Sequence, residues 1–228
     1  MMPTKTDGRT ARLDRNRAGI LRALVERVQE TGTLPTADQI AERADVSQRS
    51  VYRIFRDKET LLLEATNFVY RQLAERFPFP DLVGLPMPER VALLVDHLAA
   101  IYEYITPIRR VVAGSKIDPE FTLAEREQVK ARYRERIRDA FSDLGVFDES
   151  TPVRLRAFGL IASWNAWDYL RSEGKLSVEN AKEVICHAIT AVLRSGASLE
   201  TQQTSAASIH GANSDGPSHG DTQEGDRT

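Results

Sequence analysis

The sequence predicts an all-α protein: an N-terminal three-helix head containing a helix-turn-helix, joined to a larger C-terminal helical domain. Three observations carry this. No segment of the 228-residue chain alternates apolar and polar residues with the period of two that a half-buried strand requires. Apolar residues instead recur at helical spacing, as in Ile20, Leu21, Leu24, Val25 and Val28. The stretch FPFPDLVGLPMP sets Pro78, Pro80, Pro86 and Pro88 so close together that no regular helix can cross it, and it divides the chain.

The elements follow in order. Residues 1–13 have no apolar stripe and read as a flexible basic arm. A helix is expected from Asp14 to about Thr31, stopped by Gly32. Thr36-Ala37-Asp38-Gln39 has the form of a capping box and opens a short helix to Ala44. Asp45 tolerates the turn, Ser47 caps the next helix, and Asp57 caps a fourth from Lys58 to about Phe77. Beyond the proline-rich linker, helices are expected over 89–105, over a short piece begun by Pro107, and over 119–144. Pro152 introduces a helix over 153–172, and Ser177 caps the last one, with Val178, Ala181, Val184, Ile185, Ala188, Ile189 and Val192 as its stripe. From Ala197 to Thr228 there is no aromatic residue, and five acids face one Arg. Such a segment cannot bury enough surface to fold and reads as a disordered acidic tail.

Composition narrows the function. With 41% apolar and 28% charged residues the chain has an ordinary globular balance. No uninterrupted apolar run reaches the roughly 18 residues of a membrane span, and MMPTKTDGRTARLDRNR lacks the apolar core of a signal peptide. A cytoplasmic protein with no membrane partner is expected. The single Cys186 excludes an internal disulfide and a multi-cysteine metal site. Only His97 and His187 lie outside the tail, and no HExxH or ExxH pair occurs, so a helical-bundle enzyme would lack its constellation. No enzymatic activity, cofactor or metal is expected. Residues 1–58 carry twelve basic and eight acidic side chains, a net +4, which leaves −6 of the chain's −2 to the remainder. A basic N-terminal segment fits a local polyanion site.

The stretch DVSQRSVYRIFRDKETLL sharpens that. Helix 36–44, a three-residue turn and helix 47–55 have helix-turn-helix spacing. Ile40, Ala41 and Ala44 would pack on Val46, Val51 and Phe55, leaving Gln48, Arg49, Ser50 and Arg53 outside, with Tyr52 and Ile54 at the margins. That outer face has the chemistry a major groove reads: Gln for adenine, Arg for guanine, Ser for base or phosphate. Tyr52 adds a hydroxyl and a ring, and Lys58 begins the next helix where a phosphate could be held. The candidate DNA-contacting set is Thr36, Ser47, Gln48, Arg49, Ser50, Tyr52, Arg53 and Lys58. An outer face serving only protein contacts is the competing reading.

The pattern Ile40-Ala41, Ala44, Val46-Ser47, Ser50-Val51-Tyr52, Phe55, Lys58-Glu59, Leu61-Leu62 closely resembles the DNA-binding region of the TetR family of transcriptional regulators. The resemblance implies a three-helix DNA-binding head, a fourth helix linking it to a ligand-binding domain, and a dimer interface built by the last two helices. It also implies DNA contacts from Gln48, Arg49, Ser50 and Tyr52 and a phosphate contact from Lys58. Asp45 replaces the turn's usual Gly, ETGTLPTADQIA replaces the usual aromatic-rich end of helix one, and Ile54 replaces a common His. These departures bear on base preference rather than on the fold.

The C-terminal half then reads as a ligand-binding and dimerisation domain. Helix 153–172 carries two apolar stripes, one through Leu155, Phe158, Ala162, Ala166, Tyr169 and Leu170, the other through Val153, Ala157, Leu160, Ile161, Trp164 and Trp167. A helix apolar over most of its girth must be covered on both sides. A homodimer through helices 153–172 and 178–193 supplies that cover and would present two heads to a palindromic operator. His97, Tyr102, Phe158, Trp164, Asn165 and Trp167 are the candidates for binding a small apolar or aromatic effector; each residue type also serves as ordinary packing. Asn165, an amide in an apolar stretch, is the most pointed of them. EREQVKARYRERIRD, with ten charges of mixed sign in fifteen residues, reads as a solvated helix face. The expected division is arm 1–13, head 14–60, connecting helix and linker 61–88, effector-binding and dimerisation domain 89–196 and tail 197–228. The expected function is a dimeric repressor released by its effector.

Overall fold

The computed structural model describes residues 5–115, 123–147 and 152–194, and every regular element among them is helical. In chain order they are α1 (Lys5–Thr31), α2 (Ala37–Arg43), α3 (Gln48–Ile54), α4 (Lys58–Arg76), α5 (Met87–Ala113), α6 (Leu123–Ala140), a 3₁₀ turn (Ser142–Leu144), α7 (Pro152–Ile161), α8 (Trp164–Ser172) and α9 (Val178–Arg194). The tail 197–228 lies outside the described residues.

The helix ends of the head follow local chemistry. Gly32 closes α1 at φ 66°. Thr36 caps α2 through a complete capping box, with Gln39 Oε1 accepting from the Thr36 amide at 2.9 Å. Asp45 turns the chain at φ 50°, Ser47 caps α3, and Asp57 caps α4 by accepting from the Thr60 amide at 2.6 Å. The Thr60 hydroxyl and amide hold the Asp57 carboxyl below its ordinary value.

Three expectations need correction. The basic arm is not irregular from Lys5 onward, because α1 starts there. Leu13 and its neighbours from Thr10 to Arg15 are exposed, so no packing draws them into the helix. Arg9, Ala11, Arg12 and Leu13 are good helix formers, and extending a helix already nucleated costs far less than starting one. Pro107 does not begin a new helix but lies inside α5. The Thr106 hydroxyl donates to the Tyr102 carbonyl at 2.6 Å, and Ile101, Ile105 and Ile108 carry one buried stripe straight past the proline. The helix expected over 153–172 is broken at Ala162–Ser163 into α7 and α8. Ser163 caps α8 by accepting from the Ala166 amide at 3.2 Å, and the Tyr102 hydroxyl occupies the Ala162 carbonyl at 2.5 Å. Both sides of the break thus find partners outside a continuous helical ladder.

Two buried clusters organise the fold. The first joins Ile20, Leu24 and Val28 of α1, Ile40 and Ala41 of α2, Val51 and Phe55 around α3, Leu61, Ala65 and Val69 of α4, and Ile101, Ile105 and Ile108 of α5. The head therefore shares its core with the middle of α5, and residue 60 is not a packing boundary. The second cluster draws Leu94 and Leu98 of α5, Ile137 and Phe141, Phe158, Trp167, and Ala181, Ile185 and Ile189 of α9 into the body. Arg90, 2% exposed, pins the linker to the body by donating to the carbonyls of Leu85 and Ala140 and to both oxygens of Asp143. By length and composition α5 alone among the described helices could cross a membrane, yet half of its most apolar window is buried inside the protein.

Ile108 is fully buried in the shared cluster. Ile108→Ala is expected to lower stability by about 3 kcal/mol, and head and body should lose structure together. Chemical denaturation followed by Trp164 and Trp167 fluorescence, alongside amide exchange in α1, checks whether the two transitions coincide.

Candidate nucleic-acid interface and ligand cavity

The inner side of α3 is anchored by Val51 and Phe55, each 2% exposed. Gln48, Arg49, Tyr52 and Arg53 are left exposed, Tyr52 to 60%. Positions 48, 49, 52 and 53 share one helical face by their i, i+4 spacing. The Arg17 guanidinium lies over the Phe55 ring at 5.2 Å and forms an ion pair with Glu64 of α4, so α1 and α4 brace the end of α3. Thr36, Tyr52 and Lys58 are brought to one shallow groove between the start of α2 and the start of α4. Ser47 and Ser50 are placed differently: their hydroxyls pair at 2.9 Å, and Ser50 is half-buried rather than on the outer face.

A cavity of about 470 Å³ lies between α4, α5, α6, α7 and the start of α8. Tyr102, Phe158 and Trp164 lie on its wall. The Trp164 ring is fixed by its Nε1–H donating to the Thr106 hydroxyl at 2.9 Å. Burial holds the Tyr102 hydroxyl well above its ordinary value, so it remains a neutral donor to the Ala162 carbonyl.

The other three sequence-derived candidates are not on this wall. Asn165 is exposed, because the break at Ser163 rotates α8 relative to α7. Trp167 is 1% exposed, packed in the body core with its Nε1–H donating to Glu103 Oε1 at 2.9 Å. His97 sits beside the cavity, stacked on the wall residue Tyr133 at 5.7 Å with Nε2 3.1 Å from the Tyr133 hydroxyl. The edge of Phe79 closes on it at 5.4 Å.

Sequence reasoning missed Arg109 and three cations of α6 and α7. Arg109 lies 3.7 Å over the Trp164 ring, and its guanidinium reaches the Tyr70 hydroxyl of α4 at 3.4 Å. Lys130, Arg134 and Arg156 also line the cavity. The signal was present in EREQVKARYRERIRD: Val129, Tyr133 and Ile137 mark its inner stripe, and Lys130 and Arg134 follow that stripe one position on. Among the described residues no group of His, Cys, Asp and Glu is arranged to hold a metal ion.

These features define a helix-turn-helix head on a helical body that carries a cavity. Residues 20–65 match the family model described as bacterial regulatory proteins, tetR family. A search of curated protein sequences finds no match. Among solved structures, a TetR-family transcriptional regulator from Mesorhizobium loti MAFF303099 aligns with TM-score 0.57 and 19% identity over 81% of this chain and 96% of that one. A TetR family transcription regulator from Marinobacter aquaeolei VT8 aligns with TM-score 0.51 and 18% identity over 78% and 97%. A transcriptional regulator from Rhodococcus sp. Rha1 aligns with TM-score 0.54 and 15% identity over 80% and 96%. At such identities the structural likeness establishes the fold. The head is a TetR-family helix-turn-helix domain, and the chain as a whole has the fold of regulators of that family.

Burial, with the Arg136 charge added, pulls the His97 imidazole down to about 4 from its ordinary 6.5. The unfolded chain therefore binds more protons between those two values. The stability at stake is intact above 6.5, falls as the pH drops through the window, and levels off below about 4. Denaturant titrations at about pH 7 and about pH 5 should show His97→Gln losing about 1 kcal/mol less than the parent, a figure reduced for the partial exposure of the ring.

Proposed function

We propose that the protein is a dimeric, sequence-specific DNA-binding repressor, released from a palindromic operator by a small effector bound in the cavity. The single observation that carries the DNA-binding part is the outer face of α3: Gln48, Arg49, Tyr52 and Arg53 exposed together while Val51 and Phe55 hold the opposite face in the core. Amide, guanidinium and phenol at those spacings are the donors that read base edges in a major groove, and Thr36 and Lys58 beside Tyr52 are suited to flanking phosphates.

Dimerisation is supported by apolar surface on α7, α8 and α9. Val153 is 75% exposed, Leu160 71%, Tyr169 59% and Val184 44%. A second copy covering that face would place two heads on two half-sites. Tyr70 and Leu73 of α4 line the cavity, and α4 follows directly on α3. An effector that fits the cavity better in one arrangement of α4 than in another would shift the head spacing through that difference in affinity.

Arg49→Ala and Tyr52→Ala should each weaken binding to the operator by about tenfold or more, with the melting temperature unchanged. Mobility shift on a selected DNA site against random competitor reads this, and unaltered affinity in both variants would overturn the placement of α3 in the groove. Lys58→Ala should weaken binding to all sequences alike and reduce the salt dependence of log K by about one. Leu160→Asp, tested by light scattering and by the same mobility shift, should give monomers and lose operator binding together.

A further inference from the structure

The charge on the cavity wall is one-sided. Its deep part is apolar, made by Leu98, Ile101, Ile105, Ile137 and Phe158. Arg109, Lys130, Arg134 and Arg156 also line it, and among the described lining residues there is no Asp or Glu. Lys130 is held 2.7 Å from Glu127, with both side chains about half exposed, and Glu127 is not on the wall. We infer that the cavity takes an anionic amphiphile, an apolar chain or ring system ending in a carboxylate or comparable anion. The apolar body would lie against the deep wall and the anion among the four cations. The inference rests on the cavity being the effector site and departs from the expectation of a small apolar or aromatic effector.

The alternatives fail on electrostatics. A cationic ligand would meet four like charges. A neutral apolar ligand would fill the deep part and gain nothing from the cations, whereas an anion among them adds charge-assisted contacts to the same apolar burial. An anion with an apolar body satisfies both halves of the wall.

The position of Arg109 gives the anion a second consequence. Arg109 belongs to α5, its hydroxyl partner Tyr70 to α4 and its stacking partner Trp164 to α8. A carboxylate bound to the Arg109 guanidinium would compete with the Tyr70 hydroxyl and loosen a polar tie to the helix that follows the head. Neutral ligands of the same shape would fill the cavity without drawing on that tie, so the anion is also the part of the ligand that signals.

The test is titration calorimetry of the full-length protein with decanoate and 2-naphthoate. Decanol and naphthalene-2-methanol serve as neutral matches, and decyltrimethylammonium as the cationic one. The carboxylates should bind at least about tenfold more tightly than their neutral matches. Arg109→Gln and the exposed Arg134→Gln should each erase most of that preference while leaving the neutral ligands unaffected. Arg134→Gln guards against a folding defect at Arg109. Equal or better binding of the neutral or cationic compounds, binding of none of the five, or a carboxylate preference untouched in both variants would each overturn the inference. Operator binding by the unliganded protein is measured in parallel. Its absence counts against the regulator itself, whereas a wrong charge preference with operator binding intact counts against the ligand class alone.

Discussion

The rest of the structure depends on the buried stripe of α5. Ile101, Ile105 and Ile108 enter the core that Ile20, Leu24 and Val28 of α1 build with the helix-turn-helix, while Leu94 and Leu98, two turns earlier, enter the core of the body. One helix thus belongs to both halves. The Gln29 amide donates to the Tyr104 carbonyl at 2.5 Å, and the Arg76 guanidinium lies 4.6 Å over the Tyr104 ring, so α1 and α4 are both fixed to the same turn of α5. A head bound this way does not swing on a flexible hinge. Any change in its position has to pass through packed helices, which favour a few discrete arrangements over a continuum.

That constraint explains why the cavity matters where it is. Its wall is completed by Tyr70 and Leu73 in the second half of α4, and the same buried stripe runs back through Val69, Ala65 and Leu61 into the head. The helix break at Ala162–Ser163 also belongs to this region. Without it, α7 and α8 would run as one helix; with it, Ala162, Ser163 and Trp164 turn onto the cavity, and the Tyr102 hydroxyl caps the freed carbonyl. The break thus lies beside a cavity that α4 also walls.

The two halves were legible in the sequence to different degrees. The helix-turn-helix is written in short-range chemistry: Thr36 with Gln39, Ser47 with the Ser50 amide, and Asp57 with the Thr60 amide lie three residues apart and do not depend on anything distant. The exposed face of α3 follows from periodicity once Val51 and Phe55 are recognised as its anchors. The body is written in long-range packing. Asn165 looked buried because its neighbours are apolar, yet Ser163 ends one helix and starts another, and the new phase leaves the amide in solvent. Trp167 looked like a cavity residue and is core, since Glu103, far away in sequence, meets its indole N–H. Arg109 gave no local sign; only its approach to Trp164 and Tyr70 sets it on the wall.

By itself the sequence determined the helical class, the helix-turn-helix with its capped ends, and the exposure of Gln48, Arg49, Tyr52 and Arg53 on α3. Those properties depend on hydrogen bonds within a turn and on the phase of an apolar stripe, both fixed by neighbours in the chain. Tertiary structure alone decided that α5 runs unbroken through Pro107, that it enters the cores of both head and body, and that four cations from α5, α6 and α7 line a largely apolar cavity. A proline's effect on a helix depends on what else holds that helix. Likewise, a charged run mixed in sequence becomes one-sided in space only when packing selects which of its members face inward.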